Sequence, residues 1–314
     1  MTSPILFIVF NRPETTKQVF ESIRIAQPEK LYIAADGPRE NRPEEVVLCN
    51  QVRQIIDKVD WPCEVKTLFR EENIGCKIGV SSAITWFFQN ENEGIILEDD
   101  VIPKPEFYLF CDEMLSRYRN DKRVSMITGN NLLGANVVSN EYYFSEFYSV
   151  WGWATWKRSW NTYDVTIKDW PNQQFISYLR HRFNSKLFQY YYSGFNLIRD
   201  NKIDTWDHQW TYNCIFNSGY SIVPRANLIK NIGVYGTHSP GMSENHFIDY
   251  GEMKVDALIH PERVLVDFEA DLFFSQKKIK NTSALRSVTT DILKIIGVFN
   301  LLKRLYHGKR QLEL

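Results

Sequence analysis

The 314-residue chain is short of the markers that place many proteins at once. Its five cysteines, Cys49, Cys63, Cys76, Cys111 and Cys214, include no C-x-x-C pair, so neither a disulfide framework nor a zinc site is indicated. No uncharged apolar run reaches the roughly 18 residues of a membrane span, and none is expected. No basic leader and cleavage site precede the first apolar run, so the expected location is the cytoplasm. Gly/Ser/Pro-rich linkers and internal repeats are absent, which argues for one continuous body. The net charge is -1 with no long block of one sign before the C-terminus, so nucleic acid has no electrostatic footprint to hold.

What is present is ordinary globular composition, 44% hydrophobic and 24% charged, with aromatics at 14% that cluster between Tyr142 and Trp210. Ile5 to Phe10 is a β-branched apolar run stopped by Asn11-Arg12-Pro13, which predicts a buried parallel strand. Helical spacing over 14–26, a strand over 31–35 stopped by Asp36-Gly37, a helix over 43–59, a strand over 65–69, a helix over 77–90 and a strand over 94–97 follow. A helix over 105–118 and a strand over 124–128 complete the regular part. Alternation of this kind implies an α/β fold with a mostly parallel sheet, helices on both faces and ligands at the carboxyl ends of the strands. The expected organisation is a body over 1–280, divided into halves 1–135 and 136–280, and a C-terminal amphipathic helix over 281–314.

The fourth strand runs directly into Glu98-Asp99-Asp100. Three adjacent carboxylates repel one another, and a cation offsets that cost. Hard oxygen ligands suit Mg²⁺ or Mn²⁺, which keep positions for phosphate oxygens and water. An acidic turn capping the next helix accounts for the triplet equally well.

The stretch Ile95 to Phe110, IILEDDVIPKPEFYLF, resembles the metal-binding segment of the N-acetylglucosaminyltransferase I family. Further segments line up in the same order: Phe10-Asn11-Arg12, Asp36-Gly37, Ser149 to Trp160, Trp206 to Trp210, and Gly236 to Ser239. The resemblance implies a GT-A (Rossmann-like) fold and a glycosyltransferase using a UDP-sugar donor, with N-acetylglucosamine or a related hexose as the sugar. It implies a glycan or lipid-linked saccharide as acceptor and inversion by direct displacement. It also implies roles. Asp100 would ligate Mn²⁺ or Mg²⁺, Glu98 and Asp99 would hold sugar and ribose, Asp36 would face the base ring and Arg12 the nucleotide or its phosphates. His238 would sit on a loop over the donor, and Trp151, Gly152 and Trp153 would face the acceptor. The general base would be Asp207 or His208, because the family has two adjacent acids where this chain has Asp207-His208.

Trp206 and Trp210 flank Asp207 in sequence, which predicts a partly apolar setting that raises its proton affinity. Capping of the following helix is the alternative role for Asp207. Leu285 to Tyr306 combines an apolar helical face with a basic one, pointing either to contact with the inner face of an anionic membrane or to docking on the domain or a second subunit. Two other classes compete with the transferase: a sugar nucleotidyltransferase, which usually has a Gly-rich loop where this chain has Asn-Arg-Pro-Glu, and a non-catalytic carbohydrate-binding protein of the same fold.

Overall fold

The computed structural model describes residues 2–134, 138, 140–233, 250–255 and 258–276, so His238 and the expected helix over 281–314 lie outside the described residues. Strands β1 (Ile5–Val9), β2 (Lys30–Ala35), β3 (Glu64–Phe69) and β4 (Glu93–Glu98) alternate with helices α1 (Pro13–Ala26), α2 (Glu44–Arg53) and α3 (Gly75–Asn90). The expected helix over 43–59 tightens into a 3₁₀ turn at Gln54–Lys58. Strand β5 (Val101–Pro103), helix α4 (Pro105–Tyr118) and strands β6 (Val124–Thr128), β7 (Tyr142–Ser145) and β8 (Trp153–Trp156) come next. Helices α5 (Lys157–Trp160), α6 (Gln173–Arg182), α7 (Ser185–Arg199) and α8 (Asp207–Phe216) precede β9 (Tyr220–Pro224) and β10 (Ile229–Asn231).

Eight strands form one sheet in the order β3-β2-β1-β4-β8-β6-β9-β7. The first four are parallel, β8 runs against both β4 and β6, and β7 runs against β9. The sheet is therefore mixed, with most strands running one way, and it draws strands from both sides of residue 135. Alternation along the pleat divides the core. Ile5, Phe7 and Val9 of β1 face one cluster with Val19, Phe20 and Ile23 of α1 and Phe110 and Met114 of α4. Leu6 of β1 and Ile96 of β4 face the other, with Ile84 and Phe87 of α3 and Trp210 of α8. A separate cluster joins α6, α7 and α8 through Phe175, Leu179, Phe195 and Tyr212. Each large apolar side chain so buried contributes roughly 1.5–3 kcal/mol.

Register sets the site. Val9 pairs with Ala35, and Ile8 pairs with Glu98, so the residues that follow β1, β2 and β4 leave the sheet along one edge. Beyond the regular part read from the sequence, the aromatic-rich stretch forms helices α6 and α7, and Trp153–Trp156 is a central antiparallel strand.

Candidate functional site

The carboxyl ends of β1, β2 and β4, the start of α3 and the segment before α8 enclose a cavity of about 660 Å³. Its walls carry six carboxylates, Asp36, Glu98, Asp99, Asp100, Asp204 and Asp207, and three guanidiniums, Arg12, Arg39 and Arg70. The strand register brings the first carboxylates and Arg12 together, the α7–α8 connection contributes Asp204, and the first residue of α8 contributes Asp207.

At the tip of β4 the triplet divides into unequal parts. Asp99 is buried; its Oδ2 accepts the Phe10 amide at 3.3 Å and its Oδ1 pairs with Arg12 Nη2. Asp100 is more open, with 19% of its side chain exposed, and its Oδ2 takes Arg12 Nη1 at 2.9 Å. Burial, then Asp100, Asp99 and Asp207, push the Glu98 carboxyl up to about 8, with Arg12 opposing. Burial also raises Asp99 to about 6, against the pull of Arg12. Burial works against the Arg12 charge, but Asp99 and Asp100 outweigh it and strengthen its hold on its proton.

This donor set fits a hard divalent cation. It offers carboxylate oxygens, and the one guanidinium there pairs with Asp99 and Asp100. Among the described residues, however, no three His, Cys, Asp or Glu side chains already converge as a metal cage. The main chain around Asp100 is tight: its carbonyl accepts the Ile232 amide at 2.8 Å, and a Cβ at Gly233 would lie 2.2 Å from Asp100 Oδ2.

Asp36 lines the same cavity from the end of β2. Its oxygens accept amides of Gly37 at 3.1 Å and Ile74 at 3.1 Å, and burial raises its pKa against those bonds. Glycine is required beside it, because a Cβ at Gly37 would sit 2.4 Å from the Glu72 carbonyl carbon. Asp204 bridges the two sides, accepting the Cys76 amide at 3.0 Å and the Lys77 amide at 2.9 Å at the first turn of α3.

Asp207 lines the cavity as the first residue of α8; the cap position belongs to Trp206, so Asp207 is not the cap. Its Oδ1 accepts the Thr205 hydroxyl and lies 3.3 Å from His208 Nδ1. Burial pushes this carboxyl up, but the bonds and charge of His208 and the Thr205 hydroxyl outweigh it and hold it well below the usual range. The expectation of raised proton affinity is thereby overturned: Trp210 is fully buried, with its Nε1 on Met126 Sδ, and polar donors set the surroundings of Asp207 instead. His208 is not among the cavity-lining residues.

Of the three expected acceptor-side residues, Trp151 lines the cavity. Trp153 is fully buried, with Trp206 stacked on it at 5.7 Å between centroids and Trp210 at 5.5 Å. Gly152 has φ +61°, and a Cβ there would meet Ile229 Cδ1 at 2.4 Å, so its need for glycine arises from core packing. Arg39, Asp204, Thr205 and Asn231 also line the cavity and escaped the sequence reading. Only Arg39 carried a signal, three residues beyond Asp36 in a strand-end loop.

The sequence matches no protein-family model and no curated protein. Among solved structures it is similar to the glycosyltransferase GlyE of Streptococcus pneumoniae TIGR4, at 13% identity and TM-score 0.34 over 77% of this chain and 56% of that one. It is also similar to 4-diphosphocytidyl-2C-methyl-D-erythritol synthase of Anaerococcus prevotii DSM 20548, at 7% identity and TM-score 0.35 over 70% and 88% of the two chains. A UDP-glucose pyrophosphorylase complexed with UDP-glucose aligns at 11% identity and TM-score 0.27 over 47% and 64%. By name these neighbours are a glycosyltransferase, a synthase and a pyrophosphorylase; the likeness is partial, and none points to the N-acetylglucosaminyltransferase I family in particular.

Proposed function

We propose that the chain is a divalent-metal-dependent glycosyltransferase that moves N-acetylglucosamine or a related hexose from a UDP-sugar to a glycan or lipid-linked saccharide. The observation that carries this reading is the charge of the cavity, six carboxylates against three guanidiniums in about 660 Å³. Such walls repel a diphosphate unless a divalent cation stands between them, and a cation there offsets the repulsion that adds to burial in raising Glu98.

Asp100, the more open of its pair with Asp99, would hold Mn²⁺ or Mg²⁺, with Glu98 beside it. When bound, the ion supplies positive charge to the leaving diphosphate. Asp99 anchors the strand tip through Phe10. Asp36 and Arg70 border the nucleoside end. Asp207 is ionised at neutral pH and aimed into the cavity; with Thr205 and His208 on Oδ1, its Oδ2 takes the proton of the attacking hydroxyl. Displacement from the face opposite the leaving group inverts the anomeric centre. Trp151 forms part of the acceptor wall.

Before residue 277, Phe268, Leu272 and Phe273 are exposed at 66%, 56% and 53%. Residues 277–314 hold nine Lys or Arg against two acids. This supports attachment to an anionic membrane face, where a lipid-linked acceptor lies within reach. No described helix is long and apolar enough to cross a membrane.

The test is a thermal-shift panel of nucleotide sugars with and without Mn²⁺, since a ligand that binds the folded state raises stability with the logarithm of its concentration over Kd. A shift with UDP-N-acetylglucosamine that needs Mn²⁺ is expected. No Mn²⁺-dependent shift with any nucleotide sugar would end the proposal. Co-sedimentation with phosphatidylglycerol vesicles, expected for the whole chain and lost on deleting residues 277–314, tests the membrane contact separately.

A further inference from the structure

We infer that Arg12 is the resident counter-ion of the acid cluster and competes with the divalent cation for Asp100, so that metal binds firmly only with a diphosphate that draws Arg12 away. The inference rests on the metal-dependent reading above but concerns a step that reading leaves open, the order in which charge enters the cavity.

The arrangement is specific. Nη1 of Arg12 reaches Asp100 Oδ2 at 2.9 Å while Nη2 holds Asp99 Oδ1, so one guanidinium bridges both acids through separate nitrogens. An ion on Asp100 Oδ2 would stand within a few ångströms of Nη1, and two positive centres that close repel strongly in a partly buried site. Arg12 is also placed to leave. Its backbone is fixed at the start of α1, where its carbonyl accepts the Thr16 amide at 3.0 Å and the Thr15 hydroxyl at 3.2 Å, with Pro13 next. Its side chain remains 33% exposed and faces the cavity, so the guanidinium pivots on a rigid base without disturbing the sheet. A diphosphate offers the planar fork the same paired oxygens that it now takes from Asp99 and Asp100. Exchange of partners therefore keeps Arg12 satisfied and frees Asp100 for the ion. Asp99 retains the Phe10 amide through the exchange.

The test measures binding, not turnover. Mn²⁺ alone is titrated into the full-length wild type, Arg12→Met and Arg12→Lys, followed by electron paramagnetic resonance of free Mn²⁺, then again with UDP present. Wild type is expected to bind Mn²⁺ weakly alone and much more tightly with UDP. Arg12→Met binds Mn²⁺ alone about tenfold more tightly than wild type and gains less from UDP, and Arg12→Lys lies between. If Arg12→Met fails to fold, Arg12→Lys carries the same comparison. Equal or weaker Mn²⁺ binding by the folded variants, while wild type binds Mn²⁺ with UDP, overturns the competition and leaves the metal reading intact. Absence of Mn²⁺ binding by every form, with and without UDP, overturns both.

Discussion

The tip of β4 and the start of α8 place carboxylates on one cavity and treat them in opposite ways. At β4, burial and neighbouring acids raise Glu98 to about 8 and Asp99 to about 6. At α8, the donors His208 and Thr205 overcome burial and hold Asp207 low. One end sets a single guanidinium against three carboxylates, and the other has donors that outweigh burial. The difference teaches that role follows from what faces a carboxylate rather than from the acid itself.

The comparison breaks most visibly at Asp207. Asp207→Asn should lower kcat by roughly 10²–10⁴-fold, the range for loss of a general base, while the Mn²⁺-dependent thermal shift with donor persists. Unchanged turnover would remove Asp207 from the chemistry. Asp100→Asn should act at the other end, abolishing that thermal shift and reducing kcat/KM by roughly 100-fold, a loss of about 2.7 kcal/mol. Retention of the shift would show that the ion sits elsewhere.

Stability against pH sharpens the contrast. Glu98 in the fold holds its proton to about 8, against an ordinary value of 4.5, so the folded state binds more protons in that window. Metal-free protein should therefore lose stability as pH rises from about 4.5 to about 8, by at most about 1.4 kcal/mol per pH unit. Asp99 adds a loss in the same direction up to about 6. Asp207, held low, adds stability above its unfolded value and loses it only in acid. Denaturant titrations in EDTA across this range should show the decline, and Glu98→Gln should flatten it; a rise with pH contradicts the picture. The smallest effect belongs to Asp204→Ala, which removes the acceptor for the Cys76 and Lys77 amides and should cost about 1 kcal/mol in urea unfolding. A neutral result means that α3 holds its position without the tie.

The β/α alternation through Thr128 was legible because each apolar run or helical face has a single environment, and Asp36, Glu98 to Asp100 and Arg12 follow as strand-end residues. The aromatic half was not. Trp153 and Trp156 lie on a strand whose flanks also carry large aromatics, so period 2 is hidden, and α6 and α7 bury Phe and Tyr on faces where polar residues intervene irregularly. Asp204 and Asn231 reach the cavity through long-range packing that no local pattern encodes. For Asp207 the sequence points to apolar surroundings, because Trp206 and Trp210 stand next to it in the chain, whereas in the fold their rings pack into the core.

Strand β8 lies between β4 and β6, although it follows both in the chain. During synthesis β4 and β6 are complete before the strand that joins them has been made, so each waits with a bare edge of amide and carbonyl groups. A fragment ending near residue 135 should consequently aggregate, whereas one that includes Trp156 can close that gap.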